Sequence, residues 1–292
     1  AVELMDLNAH RADATPQGIK AVLKEDPTEY DLIWFSANYP QFKSMLDAIP
    51  VIRAEQKTAI MAVAGRAATQ LPREVHTMSE DIDVVVIGDQ EDTFREVLER
   101  VPSQRWSNVK GLAYRTDDTI VQNEPREWVK DLDALPLPNY HFVPLAVYFQ
   151  FSPLLYSVEA MQSKRRLSFS FEREYQTEEK HAFRFLSAKR AVEYIDRARH
   201  KYAIDFASLV DLHITSYTPW FLEFLDEYMD KGLHEIVSWG CELDLALATG
   251  TPEIVRSMKD AGCKYVTLNF KEPNTGVWQK AVDAVKRNGV AF

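Results

Sequence analysis

Residues 108–144 read NVKGLAYRTDDTIVQNEPREWVKDLDALPLPNYHFVP, and the chain divides there. Two short apolar stretches, 109–115 (VKGLAYR) and 119–122 (TIVQ), flank Thr116-Asp117-Asp118, a polar turn that suits a β-hairpin. The following DLDALPLP, 131–138, carries two prolines two residues apart. They fix φ and remove backbone donors, so this stretch is not a helix interior. It reads as an extended, semi-rigid connector over the surface of the preceding domain, and on proline content alone as an ordinary interdomain loop.

Outward from the connector, strands and helices alternate on both sides. Before it, strands are expected at 2–8, 31–37, 58–64 and 83–87, the last (DVVVI) being the clearest. Helices are expected at 16–24, capped by Thr15 with proline first, at 42–55, which Pro50 must interrupt or end, at 71–78 and at 92–101. Such alternation builds a parallel sheet with right-handed crossovers. After the connector, 149–162 is apolar, and four further strand-then-helix units follow. Their strands lie near 167–171, 208–214, 235–243 and 265–270, and their helices near 187–202, 219–230, 252–261 and 276–287.

Composition limits what the chain can do. Lys and Arg number 34 against 44 Asp and Glu, a formal charge of −10, which disfavours a nonspecific hold on nucleic acid or anionic lipid. No run of about 18 apolar residues is present, so no membrane span is expected. Two cysteines, Cys241 and Cys263, both in apolar contexts, cannot form a disulfide framework, and the chain reads as cytoplasmic. Two thiols also fall short of what a conventional four-iron cluster takes from its protein.

The segment "GLAYR…TIV.NEPRE…DLDALPLPNYH", preceded by "IDVVVIGDQEDTFREVLERV", closely resembles the junction in cobalamin-binding radical S-adenosylmethionine proteins of the anaerobic magnesium-protoporphyrin ester cyclase type. The resemblance implies an α/β protein in which a Rossmann-like, cobalamin-binding parallel sheet is followed by a partial (β/α) barrel of the radical S-adenosylmethionine type. The expected boundaries are 1–105 for the cobalamin-binding-like domain, 106–146 for the hairpin and proline-rich linker, and 147–292 for the barrel. Family members carry a strand and helix ahead of the first strand seen here, so the chain is expected to be a fragment or to have its central strand supplied in another way.

Ligands of open α/β sheets collect beyond the carboxyl ends of the strands. The candidates in the first domain are therefore Ser36, Ala37, Asn38 and Tyr39, then Ala64 and Gly65, then Gly88, Asp89, Gln90 and Glu91 with Thr93. The resemblance places these loops against cobalamin, whose last loop in the family reads Gly-Glu-x-Glu followed by Thr. The plainer reading is that Gly88 turns the chain and Asp92 with Thr93 caps a helix. No Asp-x-His-x-x-Gly signature offers a histidine to cobalt, and His76 reads as a helix-surface residue.

In the second domain the family places a CxxxCxxC loop after the first barrel strand. Aligning Ser163-Lys164-Arg165 with its approach puts Arg166, Ser170 and Arg173 at the cysteine positions, and none can serve as a thiolate. An iron–sulfur cluster is thus not expected. Cobalamin remains the implied cofactor, and S-adenosylmethionine is disfavoured. Lys164, Arg165, Arg166 and Arg173 could hold an anion or an acidic neighbour chain, or could pair with Glu172, Glu174, Glu178 and Glu179. Asp211, Glu242, Asp244 and Asn269 fall near the carboxyl ends of the expected barrel strands and are the catalytic candidates, although barrel mouths are also polar because they meet water. His213 shares the face of Asp211 but has no Cys or His partner at metal spacing.

Three functions are compatible with this pattern. One is a cluster-less member that binds a corrinoid or another small molecule in an interdomain crevice, as a binding, scaffold or regulatory protein. Another is a cobalamin-dependent methyltransferase or cyclase-like enzyme acting by non-radical chemistry. The last is a structural subunit working with a partner protein chain.

Overall fold

A computed structural model describes residues 3–4, 15–25, 28–36, 39–117, 119–150, 165–176, 181–251, 253–268 and 275–292. The expectations for the strand at 2–8 and the apolar run at 149–162 therefore fall almost wholly outside the described residues. The chain forms two compact units, Ala1–Val129 and Lys130–Phe292.

The first unit is a five-stranded sheet in the order β1 (Leu32–Ser36), β2 (Ile60–Ala64), β3 (Val84–Val86), β4 (Leu112–Arg115), β5 (Ile120–Gln122). β1, β2 and β3 run parallel, and the β4–β5 hairpin adds antiparallel to β3. The hairpin thus extends the sheet rather than merely leading out of it. Every residue of β2 and β3 is buried, as unbroken apolar runs such as IMAVA and VVV require. Helices α1 (Pro16–Glu25), α2 (Tyr39–Glu55), α3 (Arg66–Gln70), α4 (Pro72–Met78) and α5 (Glu91–Arg100) pack around it.

Pro50 does not break α2, contrary to the sequence expectation. The proline is exposed, while Met45, Ala48, Ile49 and Ile52 bury the opposite face. An interior proline costs about 3 kcal/mol, and burial of Met45, Ile49 and Ile52 at about 1.5–3 kcal/mol each offsets it. His76 also departs from expectation. It is fully buried in α4, with Nε2 3.2 Å from the Ala113 carbonyl, because the short helix turns that residue toward β4.

The second unit is a four-stranded parallel sheet in the order β11, β10, β9, β6, built from β6 (Arg166–Phe169), β9 (Phe206–Leu209), β10 (Ser238–Leu243) and β11 (Cys263–Leu268). Each strand lies beside the one that precedes it in this series, with helices between. A parallel sheet in which each strand neighbours the next, with helices between, has the strand order of a (β/α) barrel. The helices are α7 (Ala188–Tyr202), α8 (Thr218–Asp230), α9 (Leu245–Gly250), α10 (Glu253–Asp260) and α11 (Thr275–Arg287). Beyond them, Ala291 bridges in parallel to Tyr265.

Ser187 starts α7 by accepting the Arg190 N–H on its hydroxyl at 3.1 Å. Phe221, Phe224 and Tyr228 of α8 bury against Trp239, and the Phe224 and Trp239 rings meet edge to face at 5.8 Å. The polar tips are satisfied inside this core: Tyr228 donates to the Val237 carbonyl and Trp239 Nε1 to the Ala261 carbonyl, both at 2.8 Å.

The connector expected over the preceding domain makes its recorded bonds with the second unit. Asp133 accepts the Ser187 N–H at 2.8 Å, Asn139 accepts from Lys201 Nζ at 2.8 Å, and the Tyr140 and Tyr194 hydroxyls lie 2.8 Å apart. It ends in the short helix α6 (Leu145–Gln150). Between β6 and α7 the chain forms a two-stranded antiparallel ribbon, β7 (Glu172–Gln176) and β8 (His181–Phe185), which the strand-helix reading missed.

Candidate functional site

The carboxyl ends of β1 and β2 lie side by side, with Ser36 paired to Ala64, and β3 continues the row. Ser36 is exposed and Ala64 buried. Gly65 caps α3 at φ 111°, and Gly88 turns after β3 at φ 87° with no atom within 4 Å of where a Cβ would stand. Both glycines hold backbone that other residues adopt only with strain, and Gly88 does so in front of open space. The two turns are tied: Thr69 donates its hydroxyl to the Gly65 carbonyl at 3.0 Å and accepts the Gly88 N–H at 3.1 Å.

Other first-unit candidates are engaged within the unit. Asp89 accepts the Val129 N–H at 2.8 Å, and Gln90 accepts from Trp34 Nε1 at 3.1 Å. Thr93 is fully buried; its hydroxyl accepts from Arg126 Nε at 2.8 Å, and Arg126 reaches Glu96 at 2.7 Å. Thr93 therefore anchors the segment that follows the hairpin. Glu91 opens α5. Tyr39 starts α2, while Ala37 and Asn38 lie outside the described residues.

In the second unit, the face of the sheet away from the helices carries the row Ser168, Ser208, Gly240, Tyr265. The Tyr265 ring lies over Gly240 so closely that a Cβ there would stand 2.5 Å from it, and it stacks on Phe206 at 5.7 Å. Glu242 and Thr267 pair one step nearer the carboxyl edge. Ser168, Ser208, Tyr265, Glu242 and Thr267, with Tyr140, Arg166 and Val210, line an open pocket of about 610 Å³.

Asp211, just past β9, is 5% exposed and organises the start of the β7–β8 ribbon. Its carboxylate accepts the Ser170 hydroxyl at 2.6 Å, the Phe171 N–H at 2.8 Å and the Glu172 N–H at 3.4 Å. Burial raises its carboxyl to about 6, against the lowering effect of these bonds. Glu172 accepts both the backbone N–H of His213 and its Nδ1. Asp244 caps α9 through the Leu247 N–H at 3.0 Å and also accepts from Ser216. Asn269 lies outside the described residues. The structure thus gathers Asp211 with Ser170, Glu172 and His213, puts Glu242 in the pocket, and gives Asp244 a capping role. Glu172 was legible only as a partner for nearby arginines; the alternation in LSFSFERE was the available signal for a chain that stays extended past β6.

No protein-family profile matches the chain. In sequence it is 23% identical over 242 residues to the anaerobic magnesium-protoporphyrin IX monomethyl ester cyclase of Cereibacter sphaeroides, covering 82% of this chain and 39% of that one. It is 20% identical over 285 residues to an uncharacterised methyltransferase of Pyrococcus horikoshii, covering 91% of this chain and 58% of that one. Among solved structures, it superposes with TM-score 0.73 and 14% identity on the radical S-adenosylmethionine methyltransferase TsrM of Kitasatospora setae with tryptophan substrate and a S-adenosylmethionine analogue bound, covering 99% of this chain and 60% of that one. The chain has the fold of the cobalamin-dependent radical S-adenosylmethionine proteins. OxsB, solved with aqua-cobalamin and S-adenosylmethionine bound, gives TM-score 0.68 at 13% identity over 96% of this chain and 42% of its own. The chain thus spans under two thirds of the length of each of these four proteins. Among the described residues, no helix is long and apolar enough to cross a membrane.

TsrM has also been solved with cobalamin and a [4Fe-4S] cluster. Such a cluster does not fit the donors present here. Cys241 and Cys263 are buried in the apolar core of the second unit, and burial pushes both thiols up, away from the thiolate that iron needs. Cobalamin fits in residue size at this edge, where Ser36 is exposed and the turns after β2 and β3 are made by Gly65 and Gly88, which carry no side chain.

Proposed function

We propose that this chain is a corrinoid-binding relative of the radical S-adenosylmethionine enzymes that works without an iron–sulfur cluster after β6, in a binding, scaffold or regulatory role. The observation that carries this reading is the bonding of Ser170. Ser170, the first residue past β6, gives its hydroxyl to Asp211, so the chain leaving β6 is closed on a carboxylate and offers no sulfur there. Ser36, Ala64, Gly65 and Gly88 would hold the corrinoid, with Asp89 and Gln90 stiffening the third turn through Val129 and Trp34. When bound, cobalamin supplies cobalt–carbon chemistry; the residues here supply a backbone edge that a flat macrocycle can approach. The free, buried cysteines suit a reducing compartment, and we place the chain in the cytoplasm.

Titration of the chain with hydroxocobalamin, followed by equilibrium dialysis, tests this reading. Saturable binding is expected, and Ser36→Trp, at an exposed strand end, is expected to weaken it about tenfold or more. Binding that is absent, or indifferent to that change, contradicts it. A second reading, a non-radical cobalamin-dependent enzyme, draws support from the pocket lined by Glu242 and Tyr265. Transfer of the methyl group of methylcobalamin to an acceptor, lost in Glu242→Gln, distinguishes it from binding alone.

A further inference from the structure

Near the carboxyl ends of β6 and β9 the structure fixes an imidazole that neither the cofactor edge nor the pocket uses. His213 Nδ1 lies 2.9 Å from Glu172 Oε1, and the His213 backbone N–H donates to Glu172 Oε2 at 3.2 Å. An ionised carboxylate only accepts, so Nδ1 carries the proton and the ring lone pair is left on Nε2. Phe183 stacks on the ring at 4.1 Å and an interplanar angle of 30°, setting its plane. The loop beneath is locked, since Ser216 and Tyr217 both donate their N–H groups to the His213 carbonyl.

Nε2 has no hydrogen-bond partner among the described residues, and the His213 side chain is 35% exposed while Glu172 is 10% exposed. The same loop holds three exposed large apolar side chains, Val210, Leu212 and Tyr217, the last stacked on Phe185 at 5.3 Å. A carboxylate-oriented base beside an apolar shelf is the arrangement that general-base catalysis needs.

We propose that Glu172 and His213 form a general-base pair at the mouth of the barrel sector, with His213 as the base and Glu172 as its positioning residue, acting on a flat, largely apolar ligand that carries an ionisable proton. Nε2 takes that proton, the bonding pair stays on the ligand, and the imidazolium is held by the Glu172 charge until it returns the proton to water or to a departing atom. The inference goes beyond corrinoid binding and does not require it.

A probe of matching chemistry is 5-nitrobenzisoxazole, whose ring C–H loses its proton to a base as the N–O bond breaks, giving a coloured nitrophenolate. The full chain is expected to open it at least about tenfold faster than free imidazole at equal concentration. His213→Gln, whose amide still donates to Glu172, is expected to lose that advantage, and added imidazole is expected to restore rate to His213→Ala. Independently of any variant, 15N spectra of the wild-type imidazole are expected to show the proton on Nδ1, and Glu172→Gln is expected to mix the two tautomers. A rate no better than free imidazole, one indifferent to His213→Gln, or a wild-type ring protonated on Nε2 overturns the proposal.

Discussion

The Ser170 hydroxyl sits 2.6 Å from Asp211 Oδ1 and joins the chain leaving β6 to the chain leaving β9. Two backbone N–H groups, of Phe171 and Glu172, converge on the same carboxylate. Asp211 therefore shapes the turn into the β7–β8 ribbon. Asp211→Ala leaves those donors without their acceptor and is expected to cost about 2–4 kcal/mol, whereas Ser170→Ala removes one bond and about 1 kcal/mol. Urea unfolding of the two variants against wild type measures both, and equal costs contradict this account of the turn.

Acidity acts on the two units with opposite signs. Asp211 has its carboxyl raised to about 6 by burial, so the folded state holds its proton more tightly than the unfolded chain between pH 4 and 6. Stability from this group is present in acid and is lost as pH rises toward 6. Burial lowers His76 below its ordinary 6.5, with Arg115 also lowering it and Asp83 raising it, so its contribution is present at neutral pH and lost as pH falls below 6.5. Unfolding midpoints followed from pH 4 to 7 are expected to rise with pH less steeply in His76→Phe than in wild type. In Asp211→Asn the fall on the way to pH 6 is expected to vanish.

Gly240 and Tyr265 test the packing across the second unit's sheet. A methyl at Gly240 would stand 2.5 Å from the Tyr265 ring, backed in turn by Phe206. Gly240→Ala is expected to destabilise by about 1–3 kcal/mol. Tyr265→Ala is expected to relieve most of that cost in the double variant, which a double-mutant cycle reads directly. Additive effects would show that the ring moves aside at no cost.

Thr93 separates anchoring from ligand contact. Thr93→Val takes an acceptor from the Arg126 guanidinium, and the expected loss is about 1–2 kcal/mol of stability with hydroxocobalamin binding unchanged. Ser36→Trp is expected to do the reverse.

Much of the fold was legible because periodicity reports burial. Unbroken apolar runs at β1, β2 and β3 and amphipathic helices such as α7 stand out in a single sequence. What escaped it depends on partners far along the chain. Pro50 is tolerated because its own position is exposed, and His76 is buried by contact with β4, thirty-seven residues away. The β7–β8 ribbon hides in a charged stretch in which Glu172 holds His213 of the loop after β9. Asp211 and Glu242 were visible as polar residues at strand ends, but the capping role of Asp244 and the orienting role of Glu172 depend on chain geometry that spacing does not contain.

Anaerobic reconstitution of the chain with iron and sulfide, followed by metal analysis and an assay for S-adenosylmethionine cleavage, tests the central claim most directly. The account predicts no stoichiometric iron and no cleavage, with hydroxocobalamin still bound. Three or more sulfide-ligated irons per chain, together with cleaved S-adenosylmethionine, would contradict it.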